Sequence, residues 1–453
     1  MKGKRIVSLL TAAVFALFML AACGAAPNDT PATTQAAGSQ TSQAATTAGG
    51  STDEKIEIKV TTIPGSVSKM LQMNKEIFEQ KYPNVTVTIT EFPEDQYQNQ
   101  APQIFADKAN KPDVAWYWKQ IWFNDMANSG LFMPLNDLYK SEGWDKALGD
   151  AIVKSYTSPD GNIYAVCDDI VWTPNIYYNK KIFSDLGLSI PKTFDELYKM
   201  ADKLKGAGYV PISVGATDAV PDHIFNMLLQ RSVTPDQYGK LLDLTKKYDD
   251  INYASPEVVS AFTELKKLSE NVFQKGATGV DSTEARSMFL QGKAAMYSDG
   301  SWAVGMINGE KPADMEVGVF QYPQLKDGIK PAVLVFAGNA MEIMADTKNP
   351  EWAKKFLAQV MSQESQGKLA ESAILSPARN DVSKDSIAKM GDLYVGMYND
   401  MATIGTAPLW FSDQKAEVVN KTYELQSGVM SGAVAPEDAA KQLEELFEGS
   451  LAQ

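Results

Sequence analysis

The chain has 453 residues, of which 44% are hydrophobic and 22% charged, with 56 acidic against 42 basic side chains. This length suits two globular domains, each with a core of its own. The formal net charge of −14 argues against nucleic acid or an anionic membrane surface as a partner, because both require clustered Lys and Arg.

Residues 1–22 have the pattern of a secretory signal peptide. Three cations (Lys2, Lys4 and Arg5) precede an apolar run at residues 6–20 and a small-residue cleavage site at residues 20–22. The apolar run is shorter than the ~20 residues that span a bilayer, so a retained transmembrane helix is the less favoured interpretation. Without these cations, 39 basic side chains face 56 acidic ones, a net charge of about −17.

Cys23 directly follows the cleavage site, and Leu-Ala-Ala-Cys resembles the bacterial lipobox. This resemblance implies that Cys23 is lipidated and becomes the mature N-terminus. Residues 23–53 consist almost entirely of Ala, Thr, Gln, Ser, Gly and Pro after the cysteine and contain no aromatic residue. They are predicted to be a disordered linker. Such a tether favours the outer face of a Gram-positive membrane over a periplasm. Cys167 is the only other cysteine, so no intramolecular disulfide is possible once Cys23 is lipidated.

The globular part begins with a pattern of strand, helix and strand. Residues 55–60 and 85–89 alternate apolar with polar, and apolar residues between them recur at helical spacing. This βαβ unit predicts an α/β fold with parallel strands. Ligands of such sheets bind beyond the carboxyl ends of strands, so Ser66 and Ser68 in the first loop are candidate ligand contacts.

An aromatic cluster follows the next predicted strand, at Trp116, Tyr117, Trp118, Trp122 and Phe123. Any one of these rings is equally well a core residue. Five rings at one strand end are too many to bury, so we expect at least one to line a cleft. Rings with an apolar face and a polar edge suit the apolar faces of sugars.

Several helix starts are recognisable further along the chain. Thr193 and Asp281 each stand three residues before a Glu, the spacing of a capping box. Pro256 and Pro350 follow Ser and Asn respectively, which predicts that each proline occupies the first helical position.

The segment 286–302 carries the most information about a ligand. Gly292 can take the left-handed conformation that ends a helix, and the apolar run 294–296 fits either a strand or a buried turn of helix. Gly300 allows a sharp turn that leaves room beside Trp302 for a flat ligand. The alternative is that Trp302 caps the core beside a turn.

Phe-x-x-Gly-x-Ala-Ala-Met-x-x-x-Gly-Ser-Trp at residues 289–302 resembles the signature of family 1 extracellular solute-binding proteins, the maltose-binding type that serves ABC importers. Segments 177–197 and 349–379 are similar to the same family, and the likeness spans roughly residues 55–447. It implies a two-lobed α/β fold of the periplasmic-binding-protein type (type II), with the ligand in a cleft between lobes. In that family the Trp stacks on a sugar ring.

The resemblance also implies three crossings between the lobes, near residues 166–173, 331–338 and 389–395. The lobes would then comprise residues 54–168 with 336–388, and residues 169–335 with 389–453. Further ligand contacts that it implies are Asp168, Asp169, Trp172, Asp222, Gly338, Asn339, Arg379 and Trp410.

Several of these residues also fit positions that do not contact a ligand. The two Asp are also typical of helix caps or solvent-facing positions, Trp410 fits a core equally well, and His223, next to Asp222, is more typical of a surface. Cys167 stands where the family commonly has proline.

An enzyme is the main rival class. The sequence contains no Gly-x-Ser-x-Gly elbow, His-Glu-x-x-His helix or Walker loop. His223 is the sole histidine, and the sequence has no Asp-x-Asp-x-Asp-Gly loop, so neither a catalytic triad nor a metal site is indicated. A glycosidase with paired carboxylates stays open, because many Asp and Glu are available. We expect no cofactor.

The sequence therefore predicts a monomeric, lipid-anchored protein that binds a sugar or oligosaccharide and delivers it to an ABC permease. A non-sugar solute on the same fold is the alternative ligand, although the Arg-poor set of candidates disfavours an anion. A role in sensing, in which the bound sugar reports to a membrane sensor, is left open.

Overall fold

The computed structural model describes residues 55–107, 111–119, 123–158, 160–243, 246–337, 339–409 and 416–451. The chain divides into Met1–Ser51 and a compact unit at Thr52–Gln453. The first of these lies outside the described residues, and with it lie the predicted signal peptide, Cys23 and most of the linker.

Strands occur throughout the compact unit. They are β1 (Ile56–Thr62), β2 (Val85–Glu91), β3 (Val114–Trp118), β4 (Val171–Thr173), β5 (Asn175–Asn179), β6 (Val210–Val214), β7 (Ala294–Asp299), β8 (Val317–Gln321), β9 (Val333–Phe336), β10 (Asn339–Ile343) and β11 (Thr406–Pro408).

Helices connect and cover these strands. They are α1 (Ser66–Lys81), α2 (Glu94–Ala106), α3 (Phe123–Asn128), α4 (Asn136–Ser141), α5 (Trp144–Ala147), α6 (Asp150–Tyr156), α7 (Lys180–Asp185), α8 (Phe194–Gly206), α9 (Val220–Gln230), α10 (Pro235–Leu242), α11 (Pro256–Asn271), α12 (Ser282–Leu290), α13 (Ala303–Glu310), α14 (Pro350–Val360), α15 (Gln363–Glu371), α16 (Lys384–Ala388), α17 (Asp392–Ile404), α18 (Ala416–Ser431) and α19 (Pro436–Leu451).

The first sheet has the strand order β10-β3-β1-β2. β1 pairs in parallel with both β2 and β3, which confirms the predicted βαβ unit, and β10 returns antiparallel to β3. Apolar side chains from these strands and from α1, α2 and α14 form one buried core. The carboxyl ends of β1, β2 and β3 therefore lie at one edge of the sheet, as parallel pairing requires.

The second sheet has the order β6-β7-β5-β8. β6 and β7 are parallel, whereas β5 is antiparallel to both of its neighbours. Helices α8, α9, α11, α18 and α19 contribute to the core on one face of this sheet, and α12, α13 and α17 to a second cluster. The apolar run at residues 294–296 is thus a strand, with every residue of β7 buried.

A third, three-stranded sheet has the order β11-β9-β4. Its strands β4 and β9 fall within the first two predicted crossings between lobes. The third predicted crossing, at residues 389–395, contains instead the start of α17, which packs against β8, and β11 comes later in the chain. The lobe boundaries stay a prediction.

The local signals at helix ends are confirmed. Thr193 and Asp281 cap α8 and α12 by accepting backbone N–H groups of the third helical residue, at 3.2 and 2.7 Å. Gly292 has a φ of +70°, the left-handed conformation expected after α12. Pro256 and Pro350 stand at the starts of α11 and α14.

Candidate functional site

The candidate site lies where the first and second sheets approach each other, at Trp302. The indole of Trp302 is partly exposed and contacts both the core of the first sheet and the α13 side of the second. Ser66, at the start of α1, donates a hydrogen bond from its Oγ to the carbonyl of Trp302 at 3.2 Å. A residue from the end of β1 and one from the end of β7 are thereby joined.

A second close approach lies three residues beyond Trp302, on α13. A Cβ atom placed on Gly305 would lie 2.7 Å from the carbonyl oxygen of Ile374, which follows α15. Gly309, one turn further, has room: its Cβ would meet only the Lys69 Nζ, at 3.9 Å. The backbone of α13 therefore touches the segment after α15 at Gly305, and a side chain there has no space.

The loop before Trp302 is held by hydrogen bonds from three directions. Tyr177 on β5 donates its hydroxyl to the Gly300 carbonyl at 2.7 Å. Ser301 exchanges two hydrogen bonds with the Trp172 backbone, donating N–H at 2.8 Å and accepting at Oγ at 3.1 Å. Tyr394 on α17 donates to the Ser301 carbonyl at 3.2 Å. These contacts leave the backbone that carries the Trp302 ring little freedom to move.

His223 lies beside Trp302 and is buried, so the expected surface position was wrong. Its ring meets the indole edge to face, with centroids 5.6 Å apart, and its Nδ1 is 3.1 Å from the Thr173 hydroxyl oxygen. Burial lowers the pKa of His223 to about 3, because the charged imidazolium would lose its hydration. The ring is therefore neutral at physiological pH and forms an uncharged wall of the site.

Asp168 and Asp169 are both buried at the first crossing, which rules out the solvent-facing alternative. Trp116 donates its indole N–H to Asp168 Oδ2 at 3.0 Å, and the Asn339 amide donates to Asp169 Oδ1 at 2.6 Å. The other oxygen of Asp168, Oδ1, is buried and has no hydrogen-bond partner among the residues that the structure describes. Cys167, the preceding residue, donates its thiol to the Asp169 carbonyl at 3.0 Å.

The electrostatics of this carboxyl pair are set by burial. Burial raises the pKa of Asp169 to about 7. The pKa of Asp168 is raised well above its ordinary range, first by burial and then by the neighbouring Asp169 charge. Among the described residues no Lys, Arg or His forms an ion pair with either carboxyl. A ligand hydroxyl can donate to a carboxylate oxygen and accept from a protonated carboxyl group, so it suits this pair in either protonation state.

The wall on the side of the first sheet combines polar and aromatic groups. Ser68 is buried and donates to the carboxylate of Glu91, an exposed residue at the end of β2. Trp118, at the end of β3, is partly exposed and stands opposite Asn339 in the strand register. These groups lie at the carboxyl edge of the sheet, where ligand contacts were expected.

The other described members of the aromatic cluster are core residues. Trp116, Tyr117 and Phe123 are each at most 1% exposed, and the Tyr117 hydroxyl donates to the Gln98 carbonyl at 3.0 Å. We therefore do not include Tyr117 in the site, and Trp116 reaches it only through Asp168. Trp118 alone of the described members keeps a partly exposed ring. Trp122 lies outside the described residues.

Three further candidate residues contact other parts of the protein instead of facing the cleft. They are Trp172, Asp222 and Arg379. Trp172 is buried under α17, with its ring centroid 4.8 Å from that of Tyr398. Asp222 accepts hydrogen bonds from Asn226 at 2.9 Å and from Gln426 at 2.5 Å, and so joins α9 to α18.

Arg379 is the third of these candidates. It pairs with Asp381 through two hydrogen bonds of 2.7 and 2.8 Å and donates to the Met361 carbonyl at 3.0 Å. Each of its three nitrogens thus donates to a partner within the protein. Gly338 and Trp410, the last two candidates, lie outside the described residues.

Sequence inspection missed several residues that shape the site. Tyr156 on α6 donates its hydroxyl to the carbonyls of Ala337 and Asn339 and thus holds the start of β10. Tyr177 and Tyr394 fix the loop before Trp302, as described above. Each of these tyrosines acts on a residue more than 90 positions away, and no local pattern marks such a contact.

A metal-binding cluster and a membrane-spanning helix are both absent from the described part of the chain. Within it, no group of three or more His, Cys, Asp or Glu side chains is placed to hold a metal ion. No helix within the same ranges is long and apolar enough to cross a membrane.

The sequence family accords with this geometry. Residues 60–367 match the model of the bacterial extracellular solute-binding protein family, which is about two thirds of the chain. The protein belongs to this family. Its members bind substrates for transport, and the expected family resemblance is confirmed.

Curated relatives are similar over most of their length. A multiple sugar-binding protein of Streptococcus mutans is 27% identical over 317 residues, which cover 64% of this chain and 72% of the relative. A diacetylchitobiose-binding protein of Streptomyces coelicolor is 28% identical, covering 72% and 74% of the two chains.

Solved structures show the same fold. A chitin oligosaccharide binding protein superposes with a TM-score of 0.76 at 20% identity, covering 88% of this chain and all of the other. A maltose-bound protein of T. maritima, MalE3, superposes with a TM-score of 0.72 at 22% identity, covering 87% and 100%. The chain therefore has the two-lobed, type II periplasmic-binding-protein fold, as predicted. Lobe 1 denotes the first sheet with its helices, and lobe 2 denotes the second sheet with its helices.

Proposed function

We propose that this protein captures a carbohydrate between its lobes and delivers it to an ABC permease. The observation that carries the proposal is the placement of Trp302, a partly exposed ring on lobe 2 that also contacts lobe 1. A sugar offers an apolar ring face to such an indole and hydroxyl groups to neighbouring polar side chains. The sugar-binding relatives support this choice of ligand.

The proposed contacts come from both lobes. Trp302 stacks on one sugar ring, and Asp168, Asp169 and Asn339 accept or donate hydrogen bonds at the crossing. Ser66 and Trp118 belong to the lobe 1 wall. These groups combine a flat apolar surface with several hydrogen-bonding groups and no cation, which favours a neutral ligand over an anion.

Binding would act through closure of the lobes. A ligand that contacts both lobes binds the closed form more tightly than the open form and so shifts the population toward closure. The closed form then docks on the permease. Small-angle scattering should show a smaller radius of gyration with sugar than without it. An unchanged radius at saturating sugar would contradict the closure mechanism.

The direct test is a thermal-shift screen against neutral oligosaccharides, followed by calorimetric titration of each sugar that raises the melting temperature. Maltotriose, xylotriose, raffinose and diacetylchitobiose cover distinct linkages and ring substituents. Bound ligand stabilises the folded state by mass action, by about 2.7 kcal/mol at a hundredfold excess over Kd. No stabilisation by any neutral sugar, together with stabilisation by a polyamine or peptide, would favour the alternative ligands.

We further propose that the protein binds without catalysis. Incubation with the same oligosaccharides should return them intact by chromatography, because a transport protein releases its ligand unchanged. Cleavage products that disappear in an Asp168→Asn variant would instead support a glycoside-acting enzyme.

The anchor is proposed from the lipobox resemblance of Cys23. Labelled palmitate should be incorporated into the wild-type protein expressed in bacteria and absent from the Cys23→Ala variant. The sugar affinity of the variant should be unchanged, since Cys23 precedes the globular unit by about 30 residues. A wild-type protein that takes up no label would contradict lipidation. Permease genes beside this one would favour import, and a sensor-kinase gene would favour sensing.

A further inference from the structure

Gly300 occupies an unusual place directly under Trp302. It directly follows the buried strand β7, where the Asp299 carboxylate accepts the Gly300 N–H at 2.8 Å and Tyr177 donates to the Gly300 carbonyl. The peptide groups on both sides of the Gly300 α-carbon are thus held in place, so the backbone cannot move to make space.

The space above Gly300 is filled by the indole of Trp302. A Cβ atom placed on Gly300 would overlap three carbon atoms of the six-membered ring, namely Cε3, Cζ3 and Cη2. The ring therefore folds back onto the α-carbon two residues earlier. The space directly above the Gly300 α-carbon is therefore taken by the indole, and the predicted room for a flat ligand beside Trp302 stays a prediction.

Two further residues, His223 and Ser66, contact Trp302. His223 meets the indole with centroids 5.6 Å apart and an interplanar angle of 66°. Ser66 binds the Trp302 carbonyl from the opposite lobe. With the Gly300 α-carbon against one face, a ligand can stack only on the other.

We propose that Gly300 is a positioning residue for ligand binding: its missing side chain forms the seat on which the Trp302 indole lies, with one face presented to the ligand. This proposal rests on the proposed function, in which Trp302 stacks on a sugar. It adds that the indole is a one-sided platform. Trp302 accommodates one sugar ring and is not inserted between two.

Gly300→Ala should displace the indole. The added methyl group and the ring cannot occupy the same space, so the side chain must leave its position or change rotamer. The lost contact is that of the Trp302 face, so the affinity should fall about tenfold, as in Trp302→Ala. Gly309→Ala is the matched control, because it adds the same methyl group on α13 where there is space.

A double-variant cycle separates positioning from general damage. If Gly300 acts through Trp302, adding Gly300→Ala to a Trp302→Ala background should change the affinity by less than twofold. The affinities are measured by calorimetry with the tightest-binding sugar of maltotriose, xylotriose, raffinose and diacetylchitobiose. Losses that multiply in the double variant, or normal binding by Gly300→Ala, would overturn the proposal.

A ligand-independent measurement accompanies the cycle. In protein labelled with 5-fluorotryptophan, Trp302 is assigned from the fluorine resonance that is missing in Trp302→Phe. Gly300→Ala should shift that resonance, whereas Gly309→Ala should not. An unmoved resonance would overturn the proposed seat. If no sugar binds the wild type, the proposed function fails, while the fluorine spectrum still decides whether Gly300 positions the ring.

Discussion

Replacement of Trp302 by alanine tests the proposed binding site most directly. One face of the indole lies on Gly300, so a ligand can cover only the other, roughly 50 to 80 Å² of apolar surface. At about 25 cal/mol per Å² this contact contributes about 1 to 2 kcal/mol. The Ala variant should therefore bind its sugar about tenfold more weakly. Trp302→Phe keeps a flat ring and should retain much of the affinity.

The variant will also lose some folding stability, because Trp302 contacts two core clusters. A fully buried Trp replaced by Ala typically loses about 3 to 5 kcal/mol, and a partly exposed one loses less. Calorimetric affinity and the melting temperature of the ligand-free protein must therefore be measured together.

Trp352→Ala is a suitable control, because Trp352 is, like Trp302, a partly buried tryptophan that packs against the core of the first sheet. It packs on Tyr82, beyond the end of α1 opposite to Ser66. The 16 residues of that helix span about 24 Å. This control should melt earlier and bind sugar normally. If Trp302→Ala behaves in the same way, the indole is a core residue and the stacking hypothesis is wrong.

Three further variants probe the carboxyl pair and lobe closure. Asp169→Asn should flatten the dependence of folding stability on pH. The pKa of Asp169 in the folded protein, about 7, lies above its ordinary value of 3.8. The wild-type protein therefore loses free energy of unfolding as the pH rises from about 4 to 7, on the order of 4 kcal/mol from this group. Urea titrations of ligand-free protein between pH 4 and 8 measure this, and parallel curves for both proteins would refute it. Gly305→Ala should oppose closure of the lobes by about 1 to 3 kcal/mol, because its Cβ would press on the Ile374 carbonyl. The variant should bind sugar more weakly and have a larger radius of gyration with sugar than the wild type. The control Gly309→Ala should show neither effect. Equal effects at both glycines would point to helix propensity instead. Ser66→Ala removes the hydrogen bond to the Trp302 carbonyl and should weaken sugar binding by about 0.5 to 1.5 kcal/mol in calorimetric titration. Unchanged affinity would show that this bond does not contribute to closure.

Features that depend on nearby residues were evident from the sequence. The caps at Thr193 and Asp281, the left-handed Gly292 and the proline at the start of α11 each involve side chain and backbone within about four positions. Strand alternation likewise predicted β1 and β2 correctly, two of the four strands of the first sheet. The signature ending at Trp302 belongs to this class, because the turn and the ring that folds back on it lie within three residues.

The tertiary structure decided which of the candidate side chains face the cleft. Tyr117 and Trp118 are neighbours of the same chemical kind, yet one is buried in the core and the other is partly exposed, because successive side chains of a strand point to opposite faces. His223 is buried because Thr173 and Trp302, 50 and 79 positions away, meet there. Asp222, its neighbour, bonds to Gln426 instead.

Local sequence therefore determined the elements, the turn chemistry and the family of this protein, since these follow from interactions along a few residues of chain. Tertiary packing decided which candidate side chains are buried, which partners the buried carboxyl groups have, and where the His223 ring lies. Those contacts join segments 50 to 200 residues apart, and their geometry arises only when both sheets and their helices are assembled.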